Sequence, residues 1–477
     1  LSMIHPILYE IGKFDEWFVK NRTNGPYLIG PDGYYVRDVA SRKPLLWDAA
    51  EGKAKPFDDP SIRDYVLEGE YEVGGVRTKP AFQLIKERVK AYTPEWAEKI
   101  TSVPPETLRL TTREFIDHAM IGSTIVIDGF TFPYRPVQIA GSGRGAVSHK
   151  GGMYFDLATK IINMLVGAME VPGGATGNRN PGPCAETLMP NEDGIVTPIL
   201  EAIGVPWKFP PDHVDMAEFY PTKHTAPHLA VRAIVDPEEY YLDFPIEAFL
   251  VCGANPIRAI TDREIFIEAF KKVPFIVSVS TQFDETTMMA DIVLPESYFL
   301  ERKFCRFYLV VHQSIADDVR GLEMALYRNA VKPMFNTMQI DDIMLELADR
   351  AGFLKGTGGL NDVINRTFML TDRRRLDLNK SYTLDEIIDR RIKQIFGDEH
   401  SFEEGLQKGL LHKYSKTGKE GYNYYYWPDN KTRHPIYFEQ TKKTGDTLRE
   451  NLKKENVKIP GWKAEEMENF FAYFEPV

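Results

Sequence analysis

The sequence predicts an α/β fold in which a mainly parallel sheet is flanked by helices, with additional α+β segments from a second domain. The prediction rests on three neighbouring stretches. Residues 249–252 form a short apolar run, long enough for a buried strand, and Phe275–Ser280 form another. The apolar residues between them have helical spacing: Ile265, Ile267, Ala269 and Phe270. A strand–helix–strand unit of this length makes a right-handed parallel crossover, and ligands of such sheets bind beyond the carboxyl ends of the strands.

The turn after the first of these strands is suited to a phosphate group. Gly253 lets a phosphate approach the backbone closely, and the side-chain amide of Asn255 is a hydrogen-bond donor. Pro256 follows at once. The stretch from Thr261 to Glu264 has the pattern of a capping box, which predicts that the next helix begins there.

The first 115 residues predict helices around a loop-rich region. Residues 1–22 predict a helix and its exit, and residues 23–78 predict short hairpins at a Pro-Asp-Gly and a Val-Gly-Gly turn. A long helix is expected next, with an apolar face made by Ala81, Leu84, Ile85, Val89 and Tyr92. Pro104-Pro105 begins another helix, which continues to Met120.

The middle of the chain supplies the other elements of the predicted sheet domain. Residues 124–132 alternate around Asp128-Gly129, which predicts a hairpin. Residues 137–140 predict a core strand that runs into a glycine-rich loop, and a helix is expected over about residues 153–168. Residues 175–240 show little periodicity and predict a long excursion. Near the end of the chain, Gly352 ends an amphipathic helix formed by Ile340, Ile343, Met344, Leu347, Ala348 and Ala351.

Composition limits the classes of function. The net charge of −11 argues against a nucleic-acid partner, and the absence of 18 consecutive apolar residues argues against a membrane span. The three cysteines, Cys184, Cys252 and Cys305, are far apart in sequence. This chain alone therefore does not supply the four thiolates that an iron–sulfur cubane requires. Three unclustered cysteines also argue against a disulfide framework. Cys252 is interpreted as a small core residue.

One ordered set of motifs carries a family resemblance. The Gly-x-Asn-Pro turn, the following strand and the sequence ADIVLPE at 290–296 resemble the molybdopterin-guanine-dinucleotide oxidoreductases of the dimethyl sulfoxide reductase superfamily. Four further stretches agree in family order, at residues 15–29, 141–174, 331–353 and 434–445. Within the superfamily, the hairpin and the GRGAVSHKGG loop resemble the branch near acetylene hydratase, pyrogallol–phloroglucinol transhydroxylase and the thiosulfate or polysulfide reductases.

The resemblance implies a domain organisation. Residues 1–115 correspond to part of the first α/β domain, 116–330 to the second dinucleotide-binding α/β domain, and 331–477 to a return to the first domain and a linker. Because the chain opens on Leu1 with a helical pattern and no cap, we expect an internal piece of a longer polypeptide or one part of a split enzyme. The family's 4Fe-4S motif, first dinucleotide half-site, metal ligand and last domain would then lie elsewhere.

The resemblance also implies a set of site residues. Those expected to bind the cofactor are Gly141, Gly143, Arg144, Gly253, Ala254, Asn255, Pro256, Ser280, Thr281 and Gln282. Thr281 stands near the place where many relatives carry an aspartate, so the acidic contact to guanine or ribose is in question there. Asp291 is interpreted as a structural hydrogen-bonding residue. His149 and Arg179 are the catalytic candidates, which would move a proton and stabilise developing negative charge.

The implied function is that of a catalytic-subunit portion of an enzyme of anaerobic respiration. It would carry bis-(molybdopterin guanine dinucleotide) with molybdenum or tungsten, and perform oxygen-atom transfer, hydroxylation or related two-electron chemistry on a small substrate. The expected partners are the remaining parts of the same enzyme and an iron–sulfur electron-transfer subunit. The sequence leaves open the substrate, the direction, the metal ligand, and whether the compartment is the periplasm, reached by twin-arginine export, or the cytoplasm.

Two alternatives remain at this point. The first is a cofactor-free structural and electron-wiring homologue, like the large iron–sulfur subunit of respiratory complex I. The glycines at 141, 143 and 253, together with Asn255, favour a cofactor-binding protein instead. The second is a nicotinamide-binding Rossmann enzyme, and GSGRGAVSHK is an imperfect match to its Gly-x-Gly-x-x-Gly fingerprint.

Overall fold

The computed structural model describes most of the 477-residue chain. The described residues are 1–139, 152–175, 188–198, 210–211, 214, 227–259, 262–305, 321–415, 432–461 and 463–476. Their α-helices are Glu16–Arg22, Ala81–Val89, Pro94–Thr101, Pro105–His118, Gly152–Leu165, Pro227–Val235, Pro256–Ala259, Arg263–Lys272, Ile340–Ala351, Leu360–Thr367, Leu384–Phe396, Phe402–Lys408, Glu439–Glu455 and Met467–Phe471. A π-helical segment covers Pro6–Ile11, and 3₁₀ turns cover Thr287–Met289, Asp372–Arg374, Ala464–Glu466 and Ala472–Phe474.

The strands form small sheets. They are Leu28–Ile29, Leu45–Asp48, Lys53–Pro56, Tyr71–Val73, Val76–Pro80, Thr124–Ile127, Phe130–Pro133, Leu188–Pro190, Val196–Pro198, Ala248–Cys252, Phe275–Ser280, Ile292–Pro295, Phe304–Cys305, Gly321–Tyr327 and Leu410–Ser415. Mixed helix and strand content with a parallel sheet agrees with the predicted α/β class.

The parallel sheet contains the predicted crossover. Ala248–Cys252 pairs in parallel with Phe275–Ser280, which pairs in parallel with Ile292–Pro295. The helix Arg263–Lys272 joins the first two strands. Its buried face packs into a cluster with the sheet and with the helix Pro227–Val235, made by Val231, Val251, Ile257, Phe266, Ala269, Phe270, Val273 and Ile276. The predicted strand over Phe275–Ser280 is confirmed, and the other extends one residue further towards the N-terminus.

Among the sheets of the described residues, only this one has parallel strands. The sheet around Val76–Pro80 and the hairpin of Thr124–Ile127 with Phe130–Pro133 are antiparallel. At the tip of that hairpin, Asp128 and Gly129 have φ angles of 52° and 80°, as the Asp-Gly signal predicts. The expectation of a mainly parallel sheet therefore holds for residues 248–295 and not for the other described strands, which pair in antiparallel fashion.

The predicted capping box is wrong for the helix Arg263–Lys272. Its N-cap residue is Asp262, with φ at 72°, and the Asp262 side chain makes no capping hydrogen bond. The Asp262 carboxylate instead accepts from Arg232 Nη2 at 3.0 Å. A charge-assisted bond to a neighbouring helix has replaced the local cap. Thr261 lies outside the described residues.

The predicted core strand at 137–140 is also wrong over the residues that the structure describes, 137–139. These residues belong to no strand. The Ile139 N–H donates to Asn163 Oδ1 at 2.9 Å, and the Ile139 carbonyl accepts from Asn163 Nδ2 at 2.8 Å. The Asn163 side chain thus satisfies both backbone groups in place of a neighbouring strand.

The N-terminal helices are shorter than predicted. The first stretch divides into Pro6–Ile11 and Glu16–Arg22, and the helix expected to carry Tyr92 ends at Val89. Thr93 then caps a separate helix, Pro94–Thr101, by accepting from the Trp96 N–H. Proline at the first helical position and threonine before it favour this new start.

Residues 432–439 are built into the N-terminal region. Asn24 Nδ2 donates to the Tyr437 carbonyl at 2.7 Å, and Asn24 Oδ1 accepts from the Ile436 N–H at 2.8 Å. Arg37 forms ion pairs with Glu439, at 2.6 Å, and with Asp193. Segments about 400 residues apart in sequence therefore share one polar core. No helix in the described part of the chain is long and apolar enough to span a membrane.

Candidate functional site

A cleft of about 920 Å³ lies at the carboxyl ends of the parallel strands. Its lining residues come from the turn after Ala248–Cys252, the loop after Phe275–Ser280 and the segment after Ile292–Pro295. They are Gly253, Ala254, Asn255, Arg258, Ser280, Thr281, Gln282, Phe283, Asp284, Glu285, Met288, Glu296, Tyr298, Phe299, Arg302 and Ile340. The volume is that of a site for a small molecule or cofactor, and the carboxyl edge is where α/β sheets bind ligands.

The turn after the first strand approaches the cleft with little side-chain bulk. Gly253 has φ at 59°, and a Cβ placed on it would meet only Glu296 Oε2, at 4.0 Å. The Gly253 N–H is used in the sheet, where it donates to the Val279 carbonyl at 2.9 Å. The next two N–H groups, of Ala254 and Asn255, have no acceptor among the described residues. They are available to an anionic ligand.

The Asn255 side chain connects this turn to the loop after the second strand. Asn255 Nδ2 donates to Glu285 Oε2 at 2.6 Å, and Asn255 Oδ1 accepts from Thr286 Oγ1 at 2.8 Å. The Ile257 N–H also donates to Thr286 Oγ1, at 3.4 Å. One of the two N–H groups of Asn255 Nδ2 therefore already donates to Glu285. A hydrogen bond from the second N–H group to a phosphate stays a prediction.

The loop after the second strand makes its own local hydrogen bonds. Ser280 Oγ donates to the Gln282 carbonyl at 2.9 Å and accepts from the Gln282 N–H at 3.2 Å. Thr281 and Gln282 are exposed at the cleft. Asp284 Oδ1 accepts from the N–H groups of Thr286 and Thr287 at 3.0 and 2.9 Å. The predicted 280–282 segment therefore faces the same cleft as Gly253.

Charged residues that the sequence interpretation missed complete the lining. Glu296 is buried and pairs with Arg302, and burial raises the pKa of the Glu296 carboxyl. The hydrogen bond from Asn255 lowers the pKa of Glu285, and Arg258 lowers it further. Arg258 is the more exposed arginine, with a side chain 78% exposed. All four residues lie in or near the motifs that carry the family resemblance. Their spacing along the chain does not show that they line the same cleft.

Two other residues of the unit have supporting positions. Pro256 is buried at the start of the helix Pro256–Ala259 and is absent from the cleft lining. Asp291 Oδ2 accepts from the Ile276 N–H at 2.7 Å, and the Asp291 N–H donates to the Ile276 carbonyl at 2.8 Å. Asp291 therefore has the structural role expected of it. Cys252 is half-buried, and burial raises the pKa of its thiol, which disfavours the reactive thiolate.

The other predicted site residues lie outside the described residues. They are Gly141, Gly143, Arg144, His149 and Arg179. Their predicted roles stay predictions. Within the described part of the chain, no group of three or more His, Cys, Asp or Glu residues could hold a metal ion.

Comparisons with known proteins identify relatives over much of the chain, although no family model matches it. It is 26% identical over 347 residues to a sulfite dehydrogenase subunit of Allochromatium vinosum, covering 61% of this chain and 35% of that protein. It is 23% identical over 347 residues to the thiosulfate reductase molybdopterin-containing subunit of Salmonella typhimurium, covering 70% and 38%.

The fold has a counterpart among solved structures. Acetylene hydratase from Pelobacter acetylenicus aligns with 97% of this chain and 49% of its own, with a TM-score of 0.50 and 14% identity. At that identity the likeness concerns the fold alone. The chain spans between about a third and a half of the length of these proteins. The chain is thus similar, over part of their length, to molybdopterin-containing catalytic subunits of the dimethyl sulfoxide reductase family.

Proposed function

We propose that this chain is the part of a molybdenum or tungsten oxidoreductase that holds one half of a bis-(molybdopterin guanine dinucleotide) cofactor. The observation that carries the proposal is the cleft at the carboxyl edge of the parallel sheet, where the Gly253 turn faces the 280–282 loop. Such a cleft is the usual place for a nucleotide in an α/β protein. The sheet falls within the proposed dinucleotide-binding domain, residues 116–330.

The described residues fit the nucleotide part of such a cofactor. The cleft volume of about 920 Å³ is sufficient for a nucleotide, and the open space beside Gly253 admits a phosphate close to the backbone. The N–H groups of Ala254 and Asn255 would donate to its oxygens, and the Arg258 guanidinium would balance its charge. Gly141, Gly143 and Arg144 are proposed to contact the cofactor from the other glycine-rich loop.

The activity follows from the class of cofactor. When bound, the metal–pterin group supplies two-electron chemistry, here oxygen-atom transfer, hydroxylation or a related reaction on a small substrate. This chain would bind and orient the group and keep water from it. Arg179 would stabilise negative charge that develops on the substrate, and His149 would hold or move a proton. The proposed partners are the remaining parts of the enzyme, which carry the 4Fe-4S cluster, and an iron–sulfur electron-transfer subunit.

Chemical analysis of the purified protein tests the proposal. The protein would be produced in cells that make the cofactor, supplied with molybdate or tungstate, and analysed for metal by mass spectrometry and for GMP after acid hydrolysis. We expect GMP together with molybdenum or tungsten. Protein that is folded by circular dichroism, but contains neither GMP nor either metal, would instead support the cofactor-free homologue considered above.

A further inference from the structure

The acidic residues of the cleft differ in what their oxygens already bind. Asp284 builds its own loop, since its carboxylate accepts from the Thr286 and Thr287 N–H groups. Glu296 is buried and holds Arg302. Both carboxylates therefore have structural roles that account for their positions. Glu285 is the other acidic residue in the cleft lining.

Glu285 is anchored without being saturated. Its Oε2 accepts from Asn255 Nδ2 at 2.6 Å, and its Oε1 lies 3.4 Å from Arg258 Nη1, which is a weak contact. Its side chain is 39% exposed towards the cleft. A carboxylate offers about four lone-pair sites, so both oxygens keep acceptor capacity. The short bond from Asn255 holds the group in place before a ligand arrives.

The position of Glu285 along the chain is also informative. It lies in the loop after the second strand of a strand–helix–strand unit. In dinucleotide-binding sheets, an acidic residue of that region accepts a hydrogen bond from a ribose hydroxyl. Thr281, at the start of this loop, is uncharged and does not supply such an acceptor. Glu285 reaches the same cleft from four residues further on.

We infer that Glu285 is the specificity-determining acceptor for the nucleoside part of the ligand, and that Asn255 is its positioning residue. The inference rests on the proposed function, because it requires a nucleotide in this cleft. Glu285 would accept hydrogen bonds from a pair of adjacent donors. Two parts of a guanosine nucleotide present such a pair, the ribose hydroxyls and the N1–H and N2–H groups of the base. A site built to accept such bonds discriminates against a ligand that lacks the donor.

Titration calorimetry with the full chain and its Glu285→Gln variant tests the inference. Glutamine has the same size, and its oxygen still accepts from Asn255, so the loop keeps its anchor while the charged acceptor is lost. We expect the variant to bind GDP about tenfold or more weakly than the unaltered chain. Glu268→Gln is the matched control, because Glu268 belongs to the same unit but lies outside the cleft lining, paired with Lys272. Its affinity for GDP should not change.

Two analogues distinguish the source of the donors. If the ribose supplies them, 2′-deoxy-GDP binds the unaltered chain weakly, and Glu285→Gln removes the difference from GDP. If the base supplies them, IDP, which lacks the N2 amino group, binds the unaltered chain more weakly than GDP does. In that case Glu285→Gln removes the difference in affinity between IDP and GDP. Equal or tighter binding of GDP by Glu285→Gln overturns the inference while leaving the cleft a nucleotide site. Failure of the unaltered chain to bind GDP counts against both the inference and the proposed function.

Discussion

Gly253 shows how far the cleft depends on one residue. Its φ of 59° is in the left-handed region, which glycine adopts at little cost and other residues do not. The space around it is nearly empty, so a side chain at this position would be opposed by the backbone conformation and not by packing. A glycine here keeps the turn unstrained and leaves this edge of the cleft free of side-chain bulk.

We therefore predict that Gly253→Ala lowers both stability and nucleotide affinity. The backbone cost is about 1–2 kcal/mol. Gly352→Ala is the matched control: Gly352 has φ at 87°, has no atom within 4 Å of an added Cβ, and ends the helix Ile340–Ala351 outside the cleft. Urea denaturation should show similar losses in both variants, whereas calorimetry should show weaker GDP binding for Gly253→Ala alone. Unchanged GDP affinity in that variant would contradict the prediction.

At the scale of elements, the two cleft-forming loops act as a bonded pair. Thr286 is fully buried, and its hydroxyl donates to Asn255 Oδ1 and accepts from the Ile257 N–H. This side chain fixes the turn after the first parallel strand against the loop after the second. The strands alone would align the two loops only approximately, because their pairing ends before the loops begin.

Replacement of Thr286 by valine should separate the two loops. The variant keeps the shape but leaves Asn255 Oδ1 and the Ile257 N–H without this partner, so we expect the free energy of unfolding to fall by about 1–3 kcal/mol. Thr281→Val removes a hydroxyl from an exposed position in the same loop and should change it by no more than about 0.5 kcal/mol. Chemical denaturation measures both, and equal effects would show that the hydroxyl of Thr286 has no special role.

Two local sequence patterns fail at this scale for the same reason. The pattern before Arg263 predicts a capping box and the apolar run at 137–140 predicts a strand, and the described residues form neither. In the structure, Arg232 from another helix binds Asp262, and Asn163 from another helix binds Ile139. Local signals predict local structure well where no distant side chain competes, as at the Asp128-Gly129 hairpin.

At the scale of the whole molecule, residues 432–439 join the N-terminal segment. His434 forms a parallel bridge with Thr23, and its N–H donates to the Arg22 carbonyl at 2.7 Å. Its ring is buried 6.0 Å from that of Phe18. Burial lowers the pKa of His434 from 6.5 to about 3, because the charged imidazolium would lose its hydration.

This pKa gives stability a pH dependence with a definite sign. Between pH 6.5 and about pH 3 the unfolded chain protonates His434 and the folded chain does not, so acid favours unfolding over this range. The contribution is at most about 1.4 kcal/mol per pH unit. Urea denaturation at pH 6.5, 5.5 and 4.5 should therefore show a smaller loss of stability for His434→Gln than for the unaltered chain. His118→Gln, at an exposed helix end, should follow the unaltered chain. Parallel loss in all three proteins would contradict the assignment to His434.

The sequence by itself determined the parallel crossover, the Gly253 turn, the 280–282 loop and the structural role of Asp291. Strand hydrophobicity, helix periodicity and glycine's backbone freedom are properties of short stretches, and the ordered motifs already indicated the family. Only the tertiary structure decided that Glu285 is held by Asn255, that Glu296 is buried against Arg302, and that residues 432–439 complete the N-terminal core. These contacts join residues that spacing does not relate, and their energies depend on burial, which arises only when the chain is folded.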